Sequence, residues 1–280
     1  MKQKKYFHQK SFTLIELLVV ISIIGLLMSI IITAMRGVKG SADIARKLQI
    51  SSSFHHLLGS YLVGEWNFNE GSGDAVADTS GNFNHAARYN NPGWVDSAAS
   101  SLGKALDFTS GSYVRTNSES SSLNLSGGDV TVTVWVKFHV LSHMSGNLCI
   151  FSYLIGSPGQ PSDYILYQSG DDGIHLIVGG NDILSEGELT IEKWYFIAGT
   201  WDNSKKVITI YIDGEKNKEE SKNSAWTTVY ESGYAYIGGG HNDSVYATID
   251  EVRVYGTSLT SSQVKSLYAE GAVKRSVAVK

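Results

Sequence analysis

Three groups of residues have types and spacings that could do chemistry. The first is Glu16, the one ionisable residue in Phe12–Ile32, a run of 21 residues otherwise made of Leu, Ile, Val, Phe, Met and a few small residues. A carboxylate at bilayer depth costs about 3 kcal/mol, so it needs a partner. The second is Asp78-Thr-Ser-Gly-Asn82-Phe-Asn84, which packs oxygen donors into a tight glycine turn. That chemistry suits a hard cation such as calcium, or else an Asx turn that satisfies its own backbone. The third is a set of residues that strand alternation leaves facing outward: Trp135, Tyr211, Glu251 and Arg253. A ring beside polar groups can stack on a sugar and bond its hydroxyls. Trp135 reads better as packing, which leaves Tyr211, Glu251 and Arg253 as candidate ligand contacts.

Other chemistries are excluded on spacing. Cutting a glycosidic bond needs two carboxylates about 5 to 9.5 Å apart across a cleft. The pairs Glu186-Gly-Glu188 and Asp250-Glu251 lack a suitable strand spacing, and there is no G-x-S-x-G elbow and no H-E-x-x-H. The chain therefore reads as a non-enzyme. Its formal net charge of -4 argues against nucleic acid as a partner. The single Cys149 allows no intrachain disulfide and no cysteine-rich zinc site. With 29 glycines, 3 prolines and 11% aromatic residues in 280, the composition fits many short strands joined by tight turns rather than a helical bundle.

The elements that must position these groups follow from periodicity. Phe12–Ile32 is long enough to span a hydrocarbon core of ~30 Å as a helix. Lys2, Lys4, Lys5 and Lys10 precede it without an acid, which keeps the N-terminus cytoplasmic and exports the rest. Met35, Val38, Ile44, Leu48, Phe54, Leu57 and Leu58 carry helical spacing on to about Tyr61, a helix ~75 Å long in all. From Leu62 the period becomes alternating. Val130–Phe138 and Val207–Ile212 are the cleanest strands, and eight further candidates lie between Val63 and Tyr255. Ten or so strands require two packed sheets. A last helix is predicted from Thr260, as N-cap, to a glycine stop at Gly271.

Two resemblances refine this reading. Ser11-Phe-Thr-Leu-Ile-Glu16-Leu-Leu-Val-Val20 resembles the start of a type IV pilin or pseudopilin, G-F-T-L-I-E-L-L-V-V, at nine of ten positions. The resemblance implies cleavage between Ser11 and Phe12 by a prepilin peptidase, methylation of the new N-terminus, and pairing of Glu16 with the terminal ammonium of a neighbouring pilin-like subunit. It also implies an inner-membrane location with an exported head, followed by an extracellular pilus or a periplasmic pseudopilus.

The second resemblance rests on an ordered series: Trp66-x-Phe68-x-Glu70-Gly-Ser-Gly73, Asp78-x-x-Gly-Asn82-x-Asn84, Ala105-Leu-Asp-Phe108, Thr131-Val-Thr-Val-Trp135, Trp194-Tyr-Phe-Ile-Ala198, Ile210-Tyr-Ile-Asp-Gly214, Tyr236-Ile-Gly-Gly239 and Ile249-Asp-Glu-Val-Arg-Val-Tyr255. The series is similar to the laminin-G-like branch of the concanavalin A-like lectin/glucanase superfamily. It implies a jelly-roll sandwich closed by its first and last strands, and a structural calcium held by Asp78, Asn82 and Asp250. The glucanase E-x-D-x-(x)-E strand is not present.

The expected organisation is mainly β: a leader over 1–11, a pilin-like helix over 12–61 with its transmembrane part at 12–32, a concanavalin A-like sandwich over 62–271 and a tail over 272–280. The expected role is a surface subunit whose head binds cell-surface or environmental glycan, or protein. The alternatives are a type II secretion pseudopilin and a tethered sandwich without ligand. Losing four leader lysines from 23 basic residues leaves 19 against 27 acidic ones, a net -8.

Overall fold

The computed structural model describes residues 58–98, 103–109, 111–141, 148–155, 164–170, 173–227, 232–240 and 243–277, and five positions near the N-terminus, 14, 15, 18, 19 and 22. The chain divides into two units, Met1–Ile50 and Ser51–Lys280. In the first, Leu14, Ile15, Leu18 and Val19 are helical and exposed. Ser11, Phe12, Glu16 and most of the expected membrane span lie outside the described residues. Among the described residues no helix is long and apolar enough to cross a membrane.

The second unit is a sandwich of two eight-stranded sheets. In chain order the strands are β1 (Leu62–Trp66), β2 (Ala75–Val76), β3 (Ala86–Tyr89), β4 (Gly93–Asp96), β5 (Lys104–Phe108), β6 (Tyr113–Thr116), β7 (Val130–Phe138), β8 (Leu148–Ile155) and β9 (Tyr164–Gln168). They continue with β10 (Ile174–Val178), β11 (Asn181–Leu184), β12 (Trp194–Asp202), β13 (Val207–Ile212), β14 (Glu215–Ser221), β15 (Gly233–Ile237), β16 (Gly239–Gly240), β17 (Asp243–Ser244) and β18 (Ala247–Tyr255). A helix, α1 (Ser261–Val277), ends the described chain. The first sheet runs β14-β13-β12-β7-β18-β5-β4, and the second runs β11-β10-β9-β8-β15-β6-β3-β2. Along one edge β18 pairs β5 through Ala247–Ile249 and β1 through Val252–Tyr255, so the first and last strands close the fold as expected.

Alternation decides which face is buried. Val130, Val132, Val134, Val136 and Phe138 of β7 and Ile208 and Ile210 of β13 enter the inter-sheet core with Trp66, Trp201 and Trp226. Turn chemistry sets register: Asp213 and Gly214 both have positive φ, 51° and 80°, and join Ile212 to Glu215 as a two-residue hairpin whose twist matches its strands.

The outward side of β7 is buried as well. Trp135, Phe196, Ala198, Tyr211 and Tyr255 form a second cluster with Leu58, Leu259, Val264 and Leu267, so α1 and the residue just ahead of the sandwich cover this half of the first sheet. Thr260 and Gln263 start α1 as a capping box: the Gln263 amide nitrogen donates to Thr260 Oγ1 over 3.4 Å, and the Thr260 nitrogen donates to Gln263 Oε1 over 2.8 Å. The predicted stop at Gly271 is corrected, because α1 continues to Val277 and the expected tail begins inside it. Gly271 serves close approach instead: a Cβ there would lie 2.5 Å from Trp135 Nε1.

Candidate functional site

Loop 77–85 places two of the sequence candidates together. Asp78 Oδ1 accepts the backbone N–H groups of Glu65 and Ser80, both at 2.9 Å. Its Oδ2 accepts from the Ser80 hydroxyl at 2.9 Å and the Asn84 backbone at 2.8 Å. These four donors occupy the roughly four acceptor directions a carboxylate has. Asn82 donates through Nδ2 to the carbonyl of Leu62, and Asn84 donates to that of Val63, which ties the loop to β1. Asp250 is buried on β18 with different partners, the Ser97 hydroxyl at 2.5 Å and the Glu251 backbone at 2.8 Å.

Of the proposed ligand contacts, Tyr211 is 4% exposed, with its hydroxyl 3.2 Å from that of Ser261, and it lines a pocket of about 330 Å³ at the start of α1. Arg253 is 4% exposed and lies between two carboxylates, 2.7 Å from Glu65 and 3.4 Å from Glu251. Burial works against its charge, but Glu251 and Glu65 outweigh that and raise its pKa. Glu251 adopts φ 48° at a bulge of β18, where the register shifts between Asp250 and Arg253. The outward parity of Tyr211 and Arg253 was read correctly from alternation, but nothing in that pattern reveals that this half of the sheet is covered. Trp135 is packed as expected, its ring 5.4 Å from Phe196 and 5.8 Å from Tyr268.

The other half of the same face carries a pocket of about 290 Å³. Pairing in register sets Trp194 of β12 opposite Lys137 of β7, Lys137 opposite Thr248 of β18, and Thr248 opposite Asp107 of β5. Directly opposite residues share a face, so four strands contribute one transverse row. Beside it, His139 Nε2 lies 2.8 Å from Asp107 and 3.0 Å from the Thr248 hydroxyl, while Nδ1 lies 2.6 Å from Glu192. Lys137 pairs with Glu192 at 3.3 Å. The hydrogen bond with His139 holds the Glu192 carboxyl below its usual range against the opposing effect of burial, and Lys137 adds to the lowering. Glu192 also has φ 60°, a left-handed conformation that an acyclic L-residue holds at some cost. The carboxylates of Asp107 and Glu192 are engaged by one imidazole, beside a half-buried tryptophan.

The position of this pocket along the strands follows from β18. Tyr255 at one end pairs Leu62, where the chain enters the sandwich, and Ala247 at the other pairs Phe138, next to His139. Eight residues at ~3.3 Å each separate them by about 25 Å. Sequence reasoning missed Asp107, Lys137, His139, Glu192, Trp194 and Thr248 as a group, because only inter-strand register unites them. Their shared signal is polar residues at outward positions beside a tryptophan at a strand start.

Comparison with known proteins gives this architecture a family. The profile described as the concanavalin A-like lectin/glucanases superfamily, Laminin_G_3, matches residues 108–265, more than half of the chain. The chain belongs to this superfamily. A second profile, the prokaryotic N-terminal methylation motif, matches residues 6–32, so the two expected parts are fused in one polypeptide. No curated protein matches the chain.

Several solved structures share the fold. The binding domain of Paraclostridial Mosquitocidal Protein 1 has a TM-score of 0.59 at 19% identity, over 75% of this chain and 52% of that one. Trypanosoma rangeli sialidase in complex with the inhibitor DANA has 0.60 at 16%, over 82% and 38%. Domain 4 of AbnA, an extracellular arabinanase from Geobacillus stearothermophilus in complex with arabinotriose, has 0.54 at 19%, over 74% and 98%. The chain spans about half of the first of these and less of the second, and at these identities the likeness concerns the fold.

Proposed function

We propose that this protein is a non-enzymatic, pilin-like surface subunit, assembled through its N-terminal helix and presenting the lectin-like sandwich for adhesion through glycan binding. The observation that carries the reading is the placement of the pocket at the end of the sandwich away from the chain's entry, in a polypeptide that begins with a methylation motif. On this reading the prepilin peptidase cuts before Phe12, Phe12–Ile32 holds the subunit in the inner membrane until assembly, and Glu16 pairs with the new N-terminus of a neighbour. A sugar ring would pack on Trp194 while Lys137, Asp107 and Asp96, which also lines the pocket and pairs with Lys104 at 2.7 Å, meet its hydroxyls, in keeping with pockets that combine an apolar wall with a few placed polar groups. Arabinotriose bound to a domain of the same fold supports a saccharide as ligand class.

The test is binding of the full chain in detergent micelles to an array of neutral oligosaccharides. Trp194→Ala and Lys137→Ala should each lower binding at least tenfold with melting temperatures within a few degrees of the parent. Unchanged binding in both variants would remove the pocket from the account.

The Asp78 loop is, on our reading, closed by its own hydrogen bonds. A calcium shared by Asp78, Asn82 and Asp250 does not fit donors that already fill the Asp78 carboxylate and a different set of partners at Asp250. Adding chelator should leave the melting temperature within 1 to 2 °C of its value in millimolar calcium, since a clamp held at 100 times its Kd would add about 2.7 kcal/mol. A fall of 5 °C or more would restore the metal.

A further inference from the structure

The second sheet carries a cluster on its outward face that neither the core nor the pocket uses. Ala86, Val114, Ala235 and Ile237 point into the core, so Tyr89 of β3, Tyr113 and Arg115 of β6, and Tyr234 and Tyr236 of β15 share the outward face of three adjacent strands. All five are half-buried. Tyr89 and Tyr113 are paired in register and stack at 4.9 Å with an interplanar angle of 11°. Tyr236 leans on Tyr113 at 5.9 Å. The Arg115 guanidinium lies 4.8 Å over the Tyr89 ring and 5.0 Å over the Tyr234 ring.

Arg115 differs from Arg88 on the neighbouring strand and from Arg253 on the other sheet in having no carboxylate partner among the described residues. Arg88 pairs with Asp74, and Arg253 pairs with Glu65 and Glu251. Among the described residues no carboxylate pairs with Arg115, and its buried Nε has no hydrogen-bond partner. It donates instead to the hydroxyl of Tyr89, at 3.0 Å. A phenol that accepts from a cation is polarised to donate its own proton more strongly. Within the described residues none of the four hydroxyls, on Tyr89, Tyr113, Tyr234 and Tyr236, donates to a protein acceptor. The result is a fixed positive charge ringed by outward O–H donors on an aromatic floor, complementary to an oxyanion carried on a ring-shaped, partly apolar molecule.

We propose that this face is a second binding site, specific for acidic glycans, in which a carboxylate or sulfate group of the sugar meets Arg115 and the phenolic hydroxyls while the sugar ring packs on Tyr113 and Tyr236. The inference deepens the reading of the head as a glycan binder, but its site lies on the other sheet from the Trp194 pocket. Bulk charge cannot supply the attraction, because the chain without its leader has a net charge of -8. Polyanion binding must therefore be local.

The experiment measures the full chain in detergent micelles against immobilised polygalacturonate (carboxylate), dextran sulfate (sulfate ester) and neutral dextran. The parent protein should bind one or both acidic polymers and bind neutral dextran at least tenfold more weakly. Arg115→Gln should lose at least tenfold on the acidic polymers, whereas Trp194→Ala should keep that binding even where it loses neutral oligosaccharides. Tyr236→Phe, which removes a hydroxyl and leaves the ring, should lose about threefold and covers the case in which Arg115→Gln lowers the melting temperature. Failure of the parent to bind either acidic polymer, or equal binding by the parent, Arg115→Gln and Tyr236→Phe, would overturn the proposal. Neither result bears on the Trp194 pocket.

Discussion

Arg253, Glu65 and Glu251 form a nearly dry ion triad in which each charge is tolerated because the others are present. Removing the cation leaves two carboxylates without compensation, so Arg253→Ala should destabilise the head by about 3 to 5 kcal/mol in urea unfolding, and a loss under 1 kcal/mol would contradict the buried-pair account. Asp202 shows the opposite situation, a charge near the surface. Burial raises its pKa, but the Lys205 ammonium and backbone and the Ser204 hydroxyl outweigh that and lower it to about 2 from 3.8. A group depressed in the folded state contributes stability above its unfolded pKa and loses it as pH falls through the folded one. Asp202→Asn should therefore cost about 1 kcal/mol at pH 6, after allowance for the exposed Lys205, and the difference from the parent should shrink from about pH 5 downward, with only a small part left at pH 2. A difference as large at pH 2 as at pH 6 would refute the linkage. At this scale the sequence is least legible: Asp78 is visible as the centre of a donor-rich turn, but Thr248 reaches Asp107 and His139 from more than a hundred positions away.

Elements with strong local signals were legible. Val130–Phe138 and Val207–Ile212 appear with the bounds that alternation predicts, because a sheet with one apolar face imposes a period of two. β14, Glu-Lys-Asn-Lys-Glu-Glu-Ser, has no such period since it is an edge strand whose charges keep other chains off the ladder. The misread end of α1 has a related cause. A glycine after a helical run usually ends the helix, whereas Gly271 lets α1 approach Trp135. Alanine is the better helix former by about 1 kcal/mol, yet Gly271→Ala should lower stability by about 1 to 3 kcal/mol, because the new methyl overlaps the indole. Thermal unfolding decides the sign; a stabilised variant would mean that α1 does not press on Trp135.

At the scale of the sandwich, one sheet face is divided: α1 and Leu58 pack on the Trp135 and Tyr255 part of it, and the part beyond keeps a polar pocket with Trp194. The arrangement gives meaning to the fusion of a methylation motif with a lectin-like domain. Within the sandwich the pocket and the first residues of β1 lie toward opposite ends of β18. The reading of the chain as an assembled surface subunit depends on the N-terminus being processed and used for assembly. The most direct test is intact-mass and N-terminal peptide spectrometry of the protein taken from membranes and from sheared surface fibres. The account predicts a chain that starts at Phe12, carries an added methyl group on its amino nitrogen and is present in the fibre fraction. A chain that retains Met1 and Ser11 and stays wholly in the membrane fraction would contradict it.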